Sequence, residues 1–398
     1  MSQRIRDEET LLADWTALQP GQPVTLRAQS PLYKGEYVCQ VLERTADRVR
    51  ITMPMEQGRL VLVPVGTIVT LQVDTPTGTA ELRAQVVDRR SGRERSLLLG
   101  PEPQPPGYLG TGQRPAPCRT IAVTSGKGGV GKTVFAINLG IALAELGKRV
   151  CVVDGDLGTA NVDVLLNLTP QYNLAHVVAG EKNIFEVVMP GPRDLIVLPG
   201  GSGLQELTSL DDRQFNRLLT QFDQLERYVD IMLLDTGSGL SRSVTNFVQA
   251  ADETIILTTP EPHAITDAYA LIKVASKDQP NLKLHLVVNR VQDESEAREI
   301  ARKMTFASQR FLEQDLRYLG HVPEDPSVGK AVRLQQDLMS SQPRSRAAAC
   351  LRAIAHRLVH EDYEAGARAP AENGSGAPKP APGEGLPFLQ RVRRLFSR

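Results

Sequence analysis

The sequence predicts an α/β protein, with a mostly parallel sheet covered by helices on both faces and a small all-β domain ahead of it. Three observations carry this expectation. Residues 20–101 are short apolar runs punctuated by Gly, Pro and Asp, the pattern of antiparallel strands in a small barrel or sandwich. From residue 120 onward, continuous Val/Ile/Leu runs of strand length alternate with longer helical patterns, as in a parallel sheet buried on both faces. Between the two regions, residues 102–118 are too rich in Pro and Gly for a regular element and read as a linker.

Taken in chain order, the strands expected in the first domain (residues 1–101) are PVTLRA, YVCQVLERT, RVRITMP, LVLVPVGTIVTLQV, AELRAQVVDR and SLLLG. In the second domain (residues 119–362) they are TIAVTS, RVCVVDGD, DLIVLPG, DIMLLDT, ETIILTTP, LKLHLVVNRV and LRYLGHVP. Helical periodicity falls between them at 132–147, 211–228 and 295–312. Residues 363–385 are low in large apolar side chains, cannot bury enough surface to offset ordering entropy, and are expected to form a flexible tether. Apolar residues return in a last segment, 386–398.

The chain has 398 residues, with 46 Lys+Arg against 46 Asp+Glu, so a globally basic nucleic-acid coat is excluded and nucleic acid is not an expected partner. At 41% hydrophobic and 23% charged it has the composition of a globular protein with a core. Cys39, Cys118, Cys151 and Cys350 form no CxxC or Cys/His cluster, which fits a reducing cytoplasm and suggests neither a zinc site nor a disulfide framework. The N-terminus is polar and acidic, unlike a secretory signal. No apolar run approaches the roughly 18–20 residues of a membrane span, so any membrane contact is expected to be peripheral.

The strand TIAVTS leads into GKGGVGKT and then a helix. Such a loop, built from Gly126, Lys127, Gly128, Gly129, Val130 and Gly131, turns backbone N–H groups toward phosphate oxygens, and the helix N-terminus adds a favourable dipole. Lys132 is expected to reach the β/γ-phosphates of ATP and the Thr133 hydroxyl to ligate Mg²⁺. Asp154 and Asp156 follow one apolar strand and Asp235 ends another, all at the strand ends where α/β ligands bind. Asp154 and Asp235 are assigned to the Mg²⁺ environment, largely through water, and Asp156 to orienting the attacking water. Each taken alone is also compatible with a helix cap.

The loop form KGGxGKT, with its second lysine at Lys127, resembles the deviant Walker A of the MinD/ParA family. The segments GDLGTANVDVLLNL, LPGGSGLQEL, LLDTGSGLS, TTPEPHAITDAYALIK, VVNRV and GHVPEDPSVGKAV are similar to the flagellar site-determining branch, the FlhG/FleN/YlxH type. The resemblance implies an ATPase that forms an ATP-dependent homodimer, in which Lys127 contacts nucleotide across the dimer. It also implies an adenine site formed by Asn289, Arg290 and the loop Val322, Pro323 and Glu324. The process implied is flagellar placement, number or assembly. The alternatives on the same scaffold are a ParA-like partition ATPase that binds DNA, and a cellulose-secretion or septum-placement relative.

On a helical wheel at about 100° per residue, Phe388, Leu389, Val392, Leu395 and Phe396 share an arc of about 120°, with Arg391, Arg393, Arg394 and Arg398 off it. A basic amphipathic helix on a tether lies in a bilayer interface, and this one resembles the membrane-targeting helix of MinD, implying peripheral residence on an anionic inner-membrane surface. The alternatives are docking on the protein's own core or in a partner's groove. The first domain is similar to the N-terminal domain of flagellar brake proteins (PilZN/YcgR-N type). Arg89 and Arg93 make an RxxxR spacing, but no DxSxxG follows to complete a cyclic di-GMP site, so a protein-interaction module for a flagellar basal-body or regulatory protein is expected. A DQAxxL-like segment, carried by many flagellar relatives to stimulate a partner GTPase, is not found.

Overall fold

The computed structural model describes residues 18–102, 117–200, 212–277 and 282–367, less short stretches at 31–32, 46–47, 64, 66, 76–77, 91–94 and 157–160, together with Phe388, Arg391 and Val392. Contacts divide the chain into two compact units, Met1–Pro105 with Leu210–Gln221, and Pro106–Ser209 with Phe222–Arg398.

The first unit contains a closed antiparallel barrel. Its strands are β1 (Pro23–Ser30), β2 (Tyr33–Arg44), β3 (Val49–Thr52), β6 (Ile68–Thr75), β7 (Gly78–Arg90) and β8 (Ser96–Pro101), in the order β1-β2-β3-β8-β7-β6 with β6 returning to β1. Alternation sets the inward face: Val24, Leu26 and Ala28 on β1, Val69, Leu71 and Val73 on β6, and Leu82, Ala84 and Val86 on β7 are all buried. Closure leaves no open strand edge. The expected long strand LVLVPVGTIVTLQV is broken. A two-residue pairing joins β4 (Met55–Glu56) to β5 (Arg59–Leu60), Val63 turns into the barrel core, and the ladder resumes at Ile68. Between the two, the sequence carries a Pro at 64, a residue with no N–H to give a ladder.

The second unit is the expected α/β layer structure. Its eight-stranded sheet has the order β11-β12-β10-β13-β9-β14-β15-β16, from β9 (Arg119–Ser125), β10 (Val150–Gly155), β11 (Met189–Pro190), β12 (Ile196–Leu198), β13 (Ile231–Ser238), β14 (Glu253–Thr258), β15 (Leu284–Val291) and β16 (Leu316–Pro323). All pairs are parallel except the short edge pair β11–β12. Every residue of β10 and β14 is buried, the mark of strands covered on both faces. The helices Lys132–Glu145 and Glu294–Leu312 match the periodic segments of the sequence, as does Asp212–Glu226, of which the contacts assign the part up to Gln221 to the first unit. The last long helix, Arg346–Ala367, runs past the expected start of the tether at residue 363, carried by the helix-favouring Ala and Glu of EDYEAGA.

Candidate functional site: a phosphate loop and the tail beside it

The carboxyl ends of β9, β10 and β13 converge because these strands are adjacent and parallel, and there the residues of the predicted phosphate site meet. The loop leaves β9 at Ser125, whose hydroxyl donates to the Lys127 carbonyl at 2.6 Å. Gly129 and Gly131 have φ of 76° and 95°, the left-handed region where a side chain is strained. Gly126 answers a different demand: a Cβ there would lie 2.2 Å from the Asp267 backbone in the helix Pro262–Ser276. Gly128 and Gly129 are open to solvent, Val130 packs into the core, and Lys132 opens the helix Lys132–Glu145.

The charges around the loop are poised for a polyanion and a cation. Lys132 is buried, and burial lowers its pKa, opposed by Asp235 and Asp156. Asp235 is fully buried, and neither carboxylate oxygen has a hydrogen-bond partner. Burial pushes it up to about 7; the Thr133 hydroxyl and Lys132 act in the opposite direction, while Asp154 and Asp156 add to the rise. A buried carboxylate with both oxygens unengaged, next to a hydroxyl, suits a hard cation such as Mg²⁺. Among the described residues no group of three or more His, Cys, Asp or Glu forms a metal cage, so such an ion would draw its remaining ligands from phosphate and water.

Asp154 and Asp156 are placed differently. Asp154 Oδ1 accepts from the Asp156 N–H at 3.2 Å, and Oδ2 accepts from the N–H groups of Asn161 at 2.9 Å and Val162 at 3.3 Å. It therefore fixes the loop after β10 and starts the helix Val162–Leu165, the capping use that the sequence left open. Asp156 sits on that loop, with Asn161 Nδ2 donating to its Oδ2 at 3.3 Å. Lys127 forms an ion pair with Glu261, which is lowered below the usual carboxylate range by the hydrogen bond and charge of Lys127. Sequence reading did not single out Glu261; its place in the PEPH segment was the available signal.

The expected adenine residues also come together. Asn289, Arg290, Val322, Pro323 and Glu324 line one cavity of about 270 Å³ with Gly131 and Phe135. Asn289 Nδ2 donates to the Val130 carbonyl at 2.7 Å, tying this cavity to the phosphate loop. Arg290 holds a left-handed φ of 58° near the end of β15, where the register against β16 shifts between Asn289 and Val291.

The C-terminal segment contributes three described residues, all against this same unit. Phe388 is buried in a slot formed by Val153, Gly155, Phe222, Leu234, Thr236 and Phe247, and it stacks on Phe247 at 6.2 Å between ring centroids. Val392 is fully buried, and Arg391 pairs with Asp252. This is docking on the protein's own core, one of the alternatives open from the sequence. The expected membrane-binding residues Leu389, Arg393, Arg394, Leu395 and Phe396 lie outside the described residues. Among the described residues no helix is long and apolar enough to cross a membrane.

Residues 118–288 match the family model described as an AAA domain, and residues 19–101 match that of flagellar protein YcgR. The chain is 41% identical over 242 residues to the antiactivator FleN of Pseudomonas aeruginosa, covering 61% of this chain and 86% of that protein. It is 33% identical over 240 residues to the flagellum site-determining protein YlxH of Helicobacter pylori, covering 60% of this chain and 81% of that protein. Among solved structures, the cell-division ATPase MinD of Pyrococcus furiosus aligns with a TM-score of 0.50 at 27% identity, covering 60% of this chain and 98% of that one. MinD of Pyrococcus horikoshii, solved with Mg-ADP, aligns with a TM-score of 0.51 at 25% identity, covering 62% of this chain and 97% of that one. With its phosphate loop, its buried strand-end aspartate and relatives covered over most of their length, the chain belongs to the MinD-like P-loop ATPases of the FleN/YlxH flagellar site-determining family.

Proposed function

We propose that this chain is a Mg²⁺-dependent ATPase that regulates flagellar number or placement by cycling between a monomer and an ATP-bound homodimer. The observation that carries the ATPase reading is the phosphate loop beside Asp235, a buried carboxylate with both oxygens unengaged. In this reading Lys132 lies against the β/γ-phosphates, and Asn289, Arg290 and the 322–324 loop hold the base. Thr133 and Asp235 would hold Mg²⁺, which neutralises charge building on the phosphates. Asp156 orients a water whose oxygen bonds to the γ-phosphorus as the bond to the β–γ bridging oxygen breaks. ADP then leaves with that electron pair. Lys127 is the deviant Walker A lysine: it exchanges Glu261 for the nucleotide of a second copy when the dimer forms.

The tail supplies membrane residence in the same cycle. Each Arg near an anionic surface contributes about 1 kcal/mol, so one tail binds weakly. Two tails on a dimer bind as a pair, which raises apparent affinity by about 10²–10⁴. Because Phe388 and Val392 are seated on the core, lipid binding requires that they leave it. The barrel docks a flagellar basal-body or regulatory protein, a role supported by its match to flagellar protein YcgR.

The test is affinity capture from native membranes with an Asp156→Ala protein, which holds the ATP dimer. Recovery of flagellar components is the expected result. Recovery of chromosomal DNA and partition proteins without any flagellar component would overturn the flagellar reading in favour of partition.

A further inference from the structure

The seat beneath the tail combines an apolar slot with a set of half-buried acids. Arg391 pairs with Asp252, whose other oxygen accepts the Thr120 N–H at 2.8 Å, and the Phe388 backbone N–H faces the Glu226 carboxylate and acts to lower its pKa. Asp223 Oδ1, Glu226 Oε1 and Arg391 Nε are all sealed from solvent with no hydrogen-bond partner. Glu226 is faced by Asp223 on its own helix, by Arg391 and the Phe388 N–H of the tail, by Asp252 from the turn before β14, and by Cys118 from the segment before β9. Of these only Arg391 is cationic, and it is already engaged by Asp252.

We propose that the tail docks with uptake of a proton at Glu226, so that the seated tail covers a neutral carboxyl and its release leaves a hydrated carboxylate. A carboxylate with one oxygen sealed from water and unpartnered, beside a second acid, is costly, and the neutral form avoids that cost. Burial, with Asp223 adding to it, pushes Glu226 up to about 8 under the seated tail, and burial raises Asp223 to about 6. The sign follows by linkage. Below the ordinary carboxylate range both states are protonated and docking is insensitive to pH. Between that range and about 8 docking takes up the proton and weakens by up to about tenfold per pH unit, and above about 8 it levels off.

This inference deepens the membrane-tail reading, but its test contains no lipid, so the two fail separately. Hydrogen exchange of the nucleotide-free, full-length protein is followed in the peptide 386–398 from pH 6 to pH 9, corrected for the intrinsic pH dependence of exchange. The wild type is expected to lose protection by up to about 100-fold between pH 6 and pH 8. Glu226→Gln should hold the tail with a flat profile, and Asp252→Asn should lower protection at every pH while keeping the wild-type slope. A flat wild-type profile, or a Glu226→Gln protein that keeps the wild-type slope, overturns the proposal. Protection of the β13 peptide 231–238 reports whether each variant is folded, and the wild-type profile stands as a test even where a variant is not. Sedimentation of the same proteins with anionic vesicles tests the membrane reading on its own.

Discussion

At the scale of single residues, the glycines of the phosphate loop perform separate tasks. Gly129 and Gly131 permit left-handed backbone, whereas Gly126 admits the backbone of a neighbouring helix. Gly126→Ala is therefore expected to destabilise the nucleotide-free protein by about 1–3 kcal/mol, because Asp267 and Ala268 belong to a helix that must shift to accept a methyl group. Chemical denaturation without nucleotide measures it, and an unchanged midpoint would refute it. Lys132→Ala is expected to lower ATP turnover by on the order of 10²–10³ with little change in fold, since the lysine's charge acts on phosphate. Steady-state phosphate release together with circular dichroism checks both halves. Much of this site was legible in the sequence, because loop, strand and helix are contiguous and their residue types carry the chemistry. The packing duty of Gly126 was not, since its partner lies well over a hundred positions away in sequence. Nor did the sequence settle the use of Asp154, whose two oxygens are spent on backbone N–H groups of its own loop.

At the scale of elements, the far end of the sheet is tied by a buried network. Glu253 on β14 accepts from Arg119 on β9 through both oxygens, at 2.6 and 2.5 Å, and contacts His285 Nε2 on β15 at 2.9 Å. Arg119 also donates to the Leu358 carbonyl of the last long helix at 2.9 Å. Burial alone would raise Glu253, yet its hydrogen bonds from His285 and Arg119 hold it at about 2. A carboxylate depressed in the fold contributes stability that is present above its ordinary value of 4.5 and is lost as pH falls from there toward about 2. Glu253→Gln is expected to cost on the order of 3 kcal/mol at pH 7 and to flatten the acid limb of the stability curve. Urea melts at pH 3, 5 and 7 decide it; a variant that keeps the wild-type acid limb would contradict the assignment. Periodicity and apolar runs revealed the strands joined here, but the pairing of Arg119 with Glu253 follows from β9 and β14 being neighbours in the sheet. The same limit applied to the segment after residue 60, where apolar composition suggested one long strand and the pairing instead stops at Leu60 and resumes at Ile68.

At the scale of the whole molecule, a closed barrel and a sheet carrying the phosphate loop are joined in one chain with a tail that has a seat of its own. The barrel's relation to flagellar protein YcgR raises the question of a dinucleotide ligand. The RxxxR pair lacks its downstream partner motif, and Arg93 lies outside the described residues. Isothermal titration of the full-length protein with cyclic di-GMP is expected to show no saturable heat, and tight binding would contradict the protein-interaction role of the barrel. Zero net charge summed over the chain excludes a globally basic protein and leaves room for the basic tail. In the proposed cycle nucleotide drives association of two copies through a loop whose second lysine, Lys127, pairs with Glu261 until a partner arrives. Sedimentation velocity of the Asp156→Ala protein with saturating Mg-ATP tests it most directly, with the Lys127→Ala, Asp156→Ala double variant alongside. The account predicts a dimer for the first, which reverts to monomer with ADP, and a monomer for the second; a first protein that stays monomeric with Mg-ATP, or a second that dimerises equally well, would contradict it.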